Sequence, residues 1–190
     1  MAQGPDPVEI YEQAWAQLRP ILAASSGQHG SSTPCTEWNV QSLINHALAV
    51  QNFAYSTLSK ASFDMSTMGA VDHAFPSEGA EAAFKAITES TLATLKSINL
   101  ADTVETAFGS MPGGQFIMVP ITDMIIHTWD LAKATGQNST LDNGLAEIGY
   151  NVIANVAAGG RERGAFGPEV VIPDTASFQD RLLGMSGRTP

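Results

Sequence analysis

The sequence predicts an all-α protein: a four-helix bundle with long connecting loops, a short extended segment near 103–108 and a helical C-terminal tail. Apolar residues recur at helical spacing through most of the 190 residues. Strands and helices do not alternate, which argues against a doubly wound α/β fold, and the helix-length segments are enough for a bundle. An apolar content of 44% supplies a sizeable core. At roughly 150 residues per domain, residues 1–190 read as a single domain.

Each element has a local cause. Over residues 7–24, Ile10, Ala14, Trp15, Leu18, Ile21 and Leu22 make a one-sided stripe, with Pro7 suited to the first turn. A Gly/Ser/Thr-rich stretch from Ser25 to Thr36 breaks the pattern as a loop. Asn39 is a good N-cap for a second helix running to about Ser59, and Trp38 and Leu43 flank it as a hydrophobic staple. Residues 61–78 have no period and form a long loop suited to covering a site. A third helix follows over 79–97, then the extended segment, then a turn at Met111-Pro112-Gly113-Gly114. A fourth helix over 115–135 stops at Gly136, although Pro120 within it removes a backbone donor. A fifth runs from Asn143 to Ala158, and a short helix from Phe178 to Met185 closes the tail.

The chain carries 9 Lys and Arg against 19 Asp and Glu, a formal net charge of −10. Nothing supplies the cations that displace counterions from phosphate. Nucleic acid and anionic membrane surfaces are therefore excluded as partners, whereas small molecules and metal cations are not. A single cysteine excludes an intramolecular disulfide. Met1 to Asp6 has neither a basic nor an apolar region of a signal peptide, and no apolar run approaches the roughly 20 residues of a membrane helix. The expected location is the cytoplasm.

The four histidines carry the functional information. Asp123 and His127 are four residues apart, so on a helix they project from one face a turn apart. A carboxylate and an imidazole so placed suit Zn, Ni, Mn or Fe, but the same spacing also suits a local Asp–His hydrogen bond. His46 is in phase with Leu43, Ala47, Val50 and Phe53 and so faces the bundle interior. There it serves either as a satisfied core residue or as a third ligand. Two facing helices that each bring an inward histidine build a metal site of the kind found in bundles, and three protein ligands leave a position open. Asp130, three residues past His127, is placed to orient its imidazole or to make a helix-surface or loop-capping hydrogen bond. Trp129 suits core packing, with substrate stacking as the alternative. Cys35, ahead of a helix start, is either a small buried apolar residue or a dipole-favoured thiolate. His29 and His73 fall in loops, where His73 could close over the site as part of a lid.

Three stretches carry a family resemblance. They are Thr33-Pro34-Cys35-Thr36-Glu37-Trp38-Asn39-Val40 leading to Leu43-Ile44-Asn45-His46, then Asp123 to Ala132 (DMIIHTWDLA), then Phe166-Gly167-Pro168 through Arg181-Leu182-Leu183 to Gly187-Arg188. From about residue 10 to 190 the chain resembles the DinB-like helical bundle superfamily, in particular its actinobacterial branch related to mycothiol-dependent maleylpyruvate isomerase. The resemblance implies a four-helix bundle with a metal on three ligands, which by position fall on His46, Asp123 and His127. Related isomerases carry Glu where this chain has Asp123, one methylene shorter.

The resemblance further implies a metal-dependent enzyme using a low-molecular-weight thiol, mycothiol, as co-substrate. A thiol on the open metal position loses its proton and attacks an electrophilic small molecule, giving S-transfer or cis–trans isomerisation. The isomerases of this family carry a further C-terminal domain that 190 residues do not accommodate. Thiol transfer, or another reaction, is therefore expected ahead of maleylpyruvate isomerisation. Metal-assisted hydrolysis through a bound water, and a non-catalytic bundle that holds a metal or small ligand, use the same three ligands.

Overall fold

The computed structural model describes residues 6–106 and 109–190. Its helices are α1 (Pro7–Ala24), α2 (Val40–Leu58), α3 (Ala80–Ser97), the single turn α4 (Gly113–Phe116), α5 (Met118–Ala134), α6 (Asn143–Glu162) and α7 (Phe178–Met185). Helices α1, α2, α3 and α5 form the bundle: α1 packs on α3 and α5, and α2 packs on the same two. Helix α6 lies on α5, and α7 lies on α6. Buried Leu43, Phe84, Ile121, Met124, Ile125 and Leu131 fill the centre.

The helix starts follow local chemistry. Asp6 Oδ1 accepts from Val8 N at 2.9 Å at the head of α1, with Pro7 in its first turn. Asn39 Oδ1 accepts from Ser42 N at 2.9 Å and caps α2. Pro120 sits in the first turn of α5, where a missing N–H costs least. The expected fourth helix is therefore α5, preceded by the separate turn α4.

The extended segment is present as a strand, and two other expectations need correction, the turn after it and the end of α6. The extended segment is half of a hairpin: β1 (Thr103–Thr106) pairs antiparallel with β2 (Gly109–Pro112), Val104 opposite Met111. Ala107 and Phe108, the end of the expected segment, lie outside the described residues. Met111 and Pro112, expected in a turn, belong to β2, while Gly113 and Gly114 open α4, their amides donating to the Asp102 and Leu100 carbonyls at 2.9 Å. Helix α6 also continues past Ala158 to Glu162. Its Gly160 is buried so tightly against the Phe166 ring that no Cβ would fit, and this packing outweighs the poor helix propensity of the Gly159-Gly160 pair.

One buried polar link crosses the bundle. Tyr11 Oη donates to Gln51 Oε1 at 2.7 Å, and Gln51 Nε2 reaches the Pro120 carbonyl at 3.4 Å, joining α1, α2 and α5. Burial pushes the Tyr11 phenol up to about 12, so it stays a neutral donor. Replacing Tyr11 with Phe leaves Gln51 Oε1 buried without that donor, and the expected cost is about 1–3 kcal/mol. Urea denaturation should show a lower midpoint at unchanged slope; an unchanged midpoint would show that the link contributes nothing.

Candidate metal centre

The packing of α2 on α5 brings three predicted side chains to one point. His46, on the second turn of α2, and Asp123 and His127, a turn apart on α5, have donor atoms all within 4.8 Å of one another. Asp123 Oδ1 lies 3.3 Å from His127 Nε2 and 3.5 Å from His46 Nε2. Metal–ligand bonds of about 2.0–2.1 Å at tetrahedral angles put neighbouring donors about 3.3 Å apart. Both separations from Asp123 therefore suit a tetrahedral cation, and the two histidine donors lie within 4.8 Å of each other. The His127 side chain is only 7% exposed, against 17% for His46 and 22% for Asp123, so the group opens to solvent on the side of the latter two.

The opposite edge of the His127 ring fixes its protonation. His127 Nδ1 lies 2.9 Å from Asp130 Oδ2, and the fully buried Asp130 is paired with Arg188. Arg188 Nη2 donates to Asp130 Oδ2 at 2.8 Å and Nε to Oδ1 at 3.3 Å. An ionised carboxylate only accepts, so Nδ1 carries a proton, and in the neutral ring the Nε2 lone pair is left facing Asp123. Asp123 Oδ1 thus meets two imidazole nitrogens, and its Oδ2 is buried with no hydrogen-bond partner. An orphaned buried carboxylate oxygen beside facing lone pairs requires a positive charge among them, either a metal or a proton.

Without a metal, the proton takes that role. Burial disfavours charge on His127, but the Asp123 carboxylate and hydrogen bonds to Asp123, Asp130 and Cys35 outweigh it, holding the imidazole well above its ordinary range. Asp123 is likewise held below the carboxylate range, against its own burial, chiefly by His127 and then His46. Asp130 is lowered against burial by His127 and Arg188.

The loop before α2 supplies two further members. Thr33 Oγ accepts from Cys35 N at 3.1 Å and lies 2.8 Å from the Trp38 carbonyl, while Val40 N donates to Ser31 O at 2.9 Å, which folds this loop compactly. Cys35 Sγ comes to 3.4 Å from Asp130 Oδ2 and 3.1 Å from Arg188 Nη2. Trp38 lies tilted by 35° beside His46 at 4.5 Å between ring centres and stands 6.1 Å from His127, forming a wall of the site. The long loop after α2 contributes backbone: the Met68 carbonyl lies 3.4 Å from His46 Nδ1.

His73 and Trp129 are not brought to the triad. The His73 side chain is exposed with Nδ1 on its neighbour's carbonyl, and only its own carbonyl reaches α2, through Gln41 and Asn45. Trp129 is buried in the core with Lys133 Nζ 5.1 Å from its ring centre. His29 packs edge-on against Phe75. Sequence reasoning gave no role to Arg188 or to Trp38 at the site. The Gly187-Arg188 end motif and the Trp38 beside the α2 cap were the available signals.

Residues 11–132 match the family described as the mycothiol maleylpyruvate isomerase N-terminal domain. The chain belongs to that family. The matched stretch contains Cys35, His46, Asp123, His127 and Asp130 but stops short of Arg188. Uncharacterized proteins from two strains of Mycobacterium tuberculosis are 29% identical over 192 residues, covering 97% of this chain and 98% of theirs. The crystal structure of the mycothiol-dependent maleylpyruvate isomerase shares the helical fold, with a TM-score of 0.57 at 15% identity over 90% of this chain and 76% of that one.

The raised His127 value has a definite sign in stability. Its contribution to the metal-free protein is fully present below the ordinary value of 6.5 and is lost as pH rises through the raised folded value. Removing the anion with Asp123→Asn should lower the pH at which the His127 ring titrates, followed by NMR of its ring protons. An unmoved titration would show that Asp123 does not hold the charge.

Proposed function

We propose that this chain is an enzyme in which a divalent metal, zinc foremost, held by His46, Asp123 and His127, activates a low-molecular-weight thiol of the mycothiol type. The thiolate would add to an electrophilic carbon of a small molecule: expulsion of a leaving group from that carbon gives S-transfer, whereas rotation about the saturated bond and expulsion of the same thiolate gives cis–trans isomerisation. The observation that carries this reading is the orphaned Asp123 Oδ2, on a carboxylate whose Oδ1 lies 3.3 and 3.5 Å from two imidazole nitrogens. Family membership supports the thiol, since the isomerase that names the family is mycothiol-dependent.

A cation held by His46, Asp123 and His127 would lower the pKa of a thiol bound to it, so that thiolate would be present near neutral pH. The protein groups prepare the site for it. Two imidazoles and one carboxylate suit zinc, and three protein ligands leave a fourth position for the thiol. Asp130 keeps the proton on His127 Nδ1 and leaves Nε2 free. Met68 O faces His46 Nδ1 and favours the matching tautomer there. The Trp38 indole covers one side of the imidazoles and narrows solvent access.

Elemental analysis of the purified chain should find close to one metal per molecule, and both His46→Ala and His127→Ala should lose it. Absence of stoichiometric metal, or equal retention by the variants, would overturn the metal centre. Mycothiol added with zinc should raise the melting temperature beyond zinc alone, because binding to the native state alone stabilises it. No increment at saturating thiol would count against thiol activation.

A further inference from the structure

The geometry points to Arg188 as a positioning residue of the metal centre, acting through Asp130 to fix the His127 ring. This rests on His127 being a ligand, as proposed above, and adds a residue outside the stretch that matches the family.

Asp130 has no solvent exposure and accepts from His127. A carboxylate with a single donor can rotate about its side-chain torsions and carry the imidazole with it. Here the guanidinium grips both oxygens as a fork, with Nη2 at 2.8 Å from Oδ2 and Nε at 3.3 Å from Oδ1. Arg188 is itself held: Nη1 donates to the Ser186 carbonyl at 2.8 Å, and Nη2 lies 3.1 Å from Cys35 Sγ. Cys35, His127 and Asp130 also have ligand atoms close enough for a cation of their own. The guanidinium lies against two of these three, so the positive charge of that cluster comes from the protein. The metal edge of the ring and the arginine edge are thereby kept distinct.

The fold places Arg188 by a specific turn. Gly187 has φ +85°, its amide donates to the Gly184 carbonyl at 3.0 Å, and Arg188 N donates to the Leu183 carbonyl at 2.8 Å. This is the paired hydrogen bonding of a Schellman ending on α7, which reverses the chain. A Cβ on Gly187 would lie 3.1 Å from the Gly167 backbone, so the tail is closely seated there. A residue 58 positions beyond Asp130 thus completes the setting of His127.

The test measures zinc affinity by chelator competition, on the full chain, for the native protein, R188M, R188K, D130N and the D130N/R188M pair. R188M should bind zinc about 10–100-fold more weakly, with R188K between it and the native chain because its charge remains without the fork. The cobalt(II)-substituted R188M should show an altered visible spectrum, which loss of global stability alone does not produce. In the D130N background, R188M should cost no further affinity, since the arginine acts through the carboxylate. Native affinity in folded R188M, or an equal loss with and without Asp130, would overturn the inference. Should R188M fail to fold, R188K decides: weakened zinc binding at near-native melting supports positioning, and native affinity overturns it. A native chain that binds no zinc removes the metal centre itself, whereas tight native binding matched by R188M removes only the role of Arg188.

Discussion

A carboxylate with no access to water has to be neutralised where it lies, and the rest of the site is arranged around that constraint at Asp130. Its donors come from separate parts of the chain: His127 from its own helix, Cys35 from the loop before α2, and Arg188 from beyond α7. Meeting the charge therefore docks that loop and the tail onto α5 at one point. The desolvation of these ions makes the cluster a poor source of net stability. Its consequence is geometric, because it sets which edge of His127 carries a proton.

On the other edge the situation is reversed. Asp123 Oδ1 faces two imidazole nitrogens that need a metal or a proton between them and it, and its Oδ2 is left unpaired in the interior. A core selected only for stability would replace such a group with apolar side chains. Its presence, in a bundle whose family includes a thiol-dependent isomerase, is the strongest sign of a cation site. The packing of α2 on α5 brings His46 Nε2 within 3.5 Å of Asp123 Oδ1.

Much of this was legible in the sequence. Helices α1, α2, α3 and α7 follow from apolar period and capping residues, and Asn39 caps α2 as its side chain requires. The placement of Asp123 and His127 on one helix face follows from the four-residue spacing, and the inward phase of His46 from its apolar neighbours. The hairpin was harder to see, because strand pairing joins residues whose individual patterns are weak. The final turn of α6 was hidden by its Gly pair, which helix propensity disfavours and which Phe166 packing retains. Trp129 is buried as core packing requires, and the exposed His73 has its Nδ1 on the Ala74 carbonyl.

What the sequence determined by itself is whatever depends on neighbours within one or two helical turns: the all-α class, the helix starts, and three inward side chains with the chemistry of ligands. Tertiary structure decided the rest, because each remaining feature is a meeting of distant segments. Only packing of α2 on α5 turns two local patterns into one donor set. Only the Schellman turn after α7 brings Arg188 back to Asp130. Hydrogen bonds and ion pairs fall off over a few ångströms, and no sequence spacing records which residues the folded chain brings within that distance.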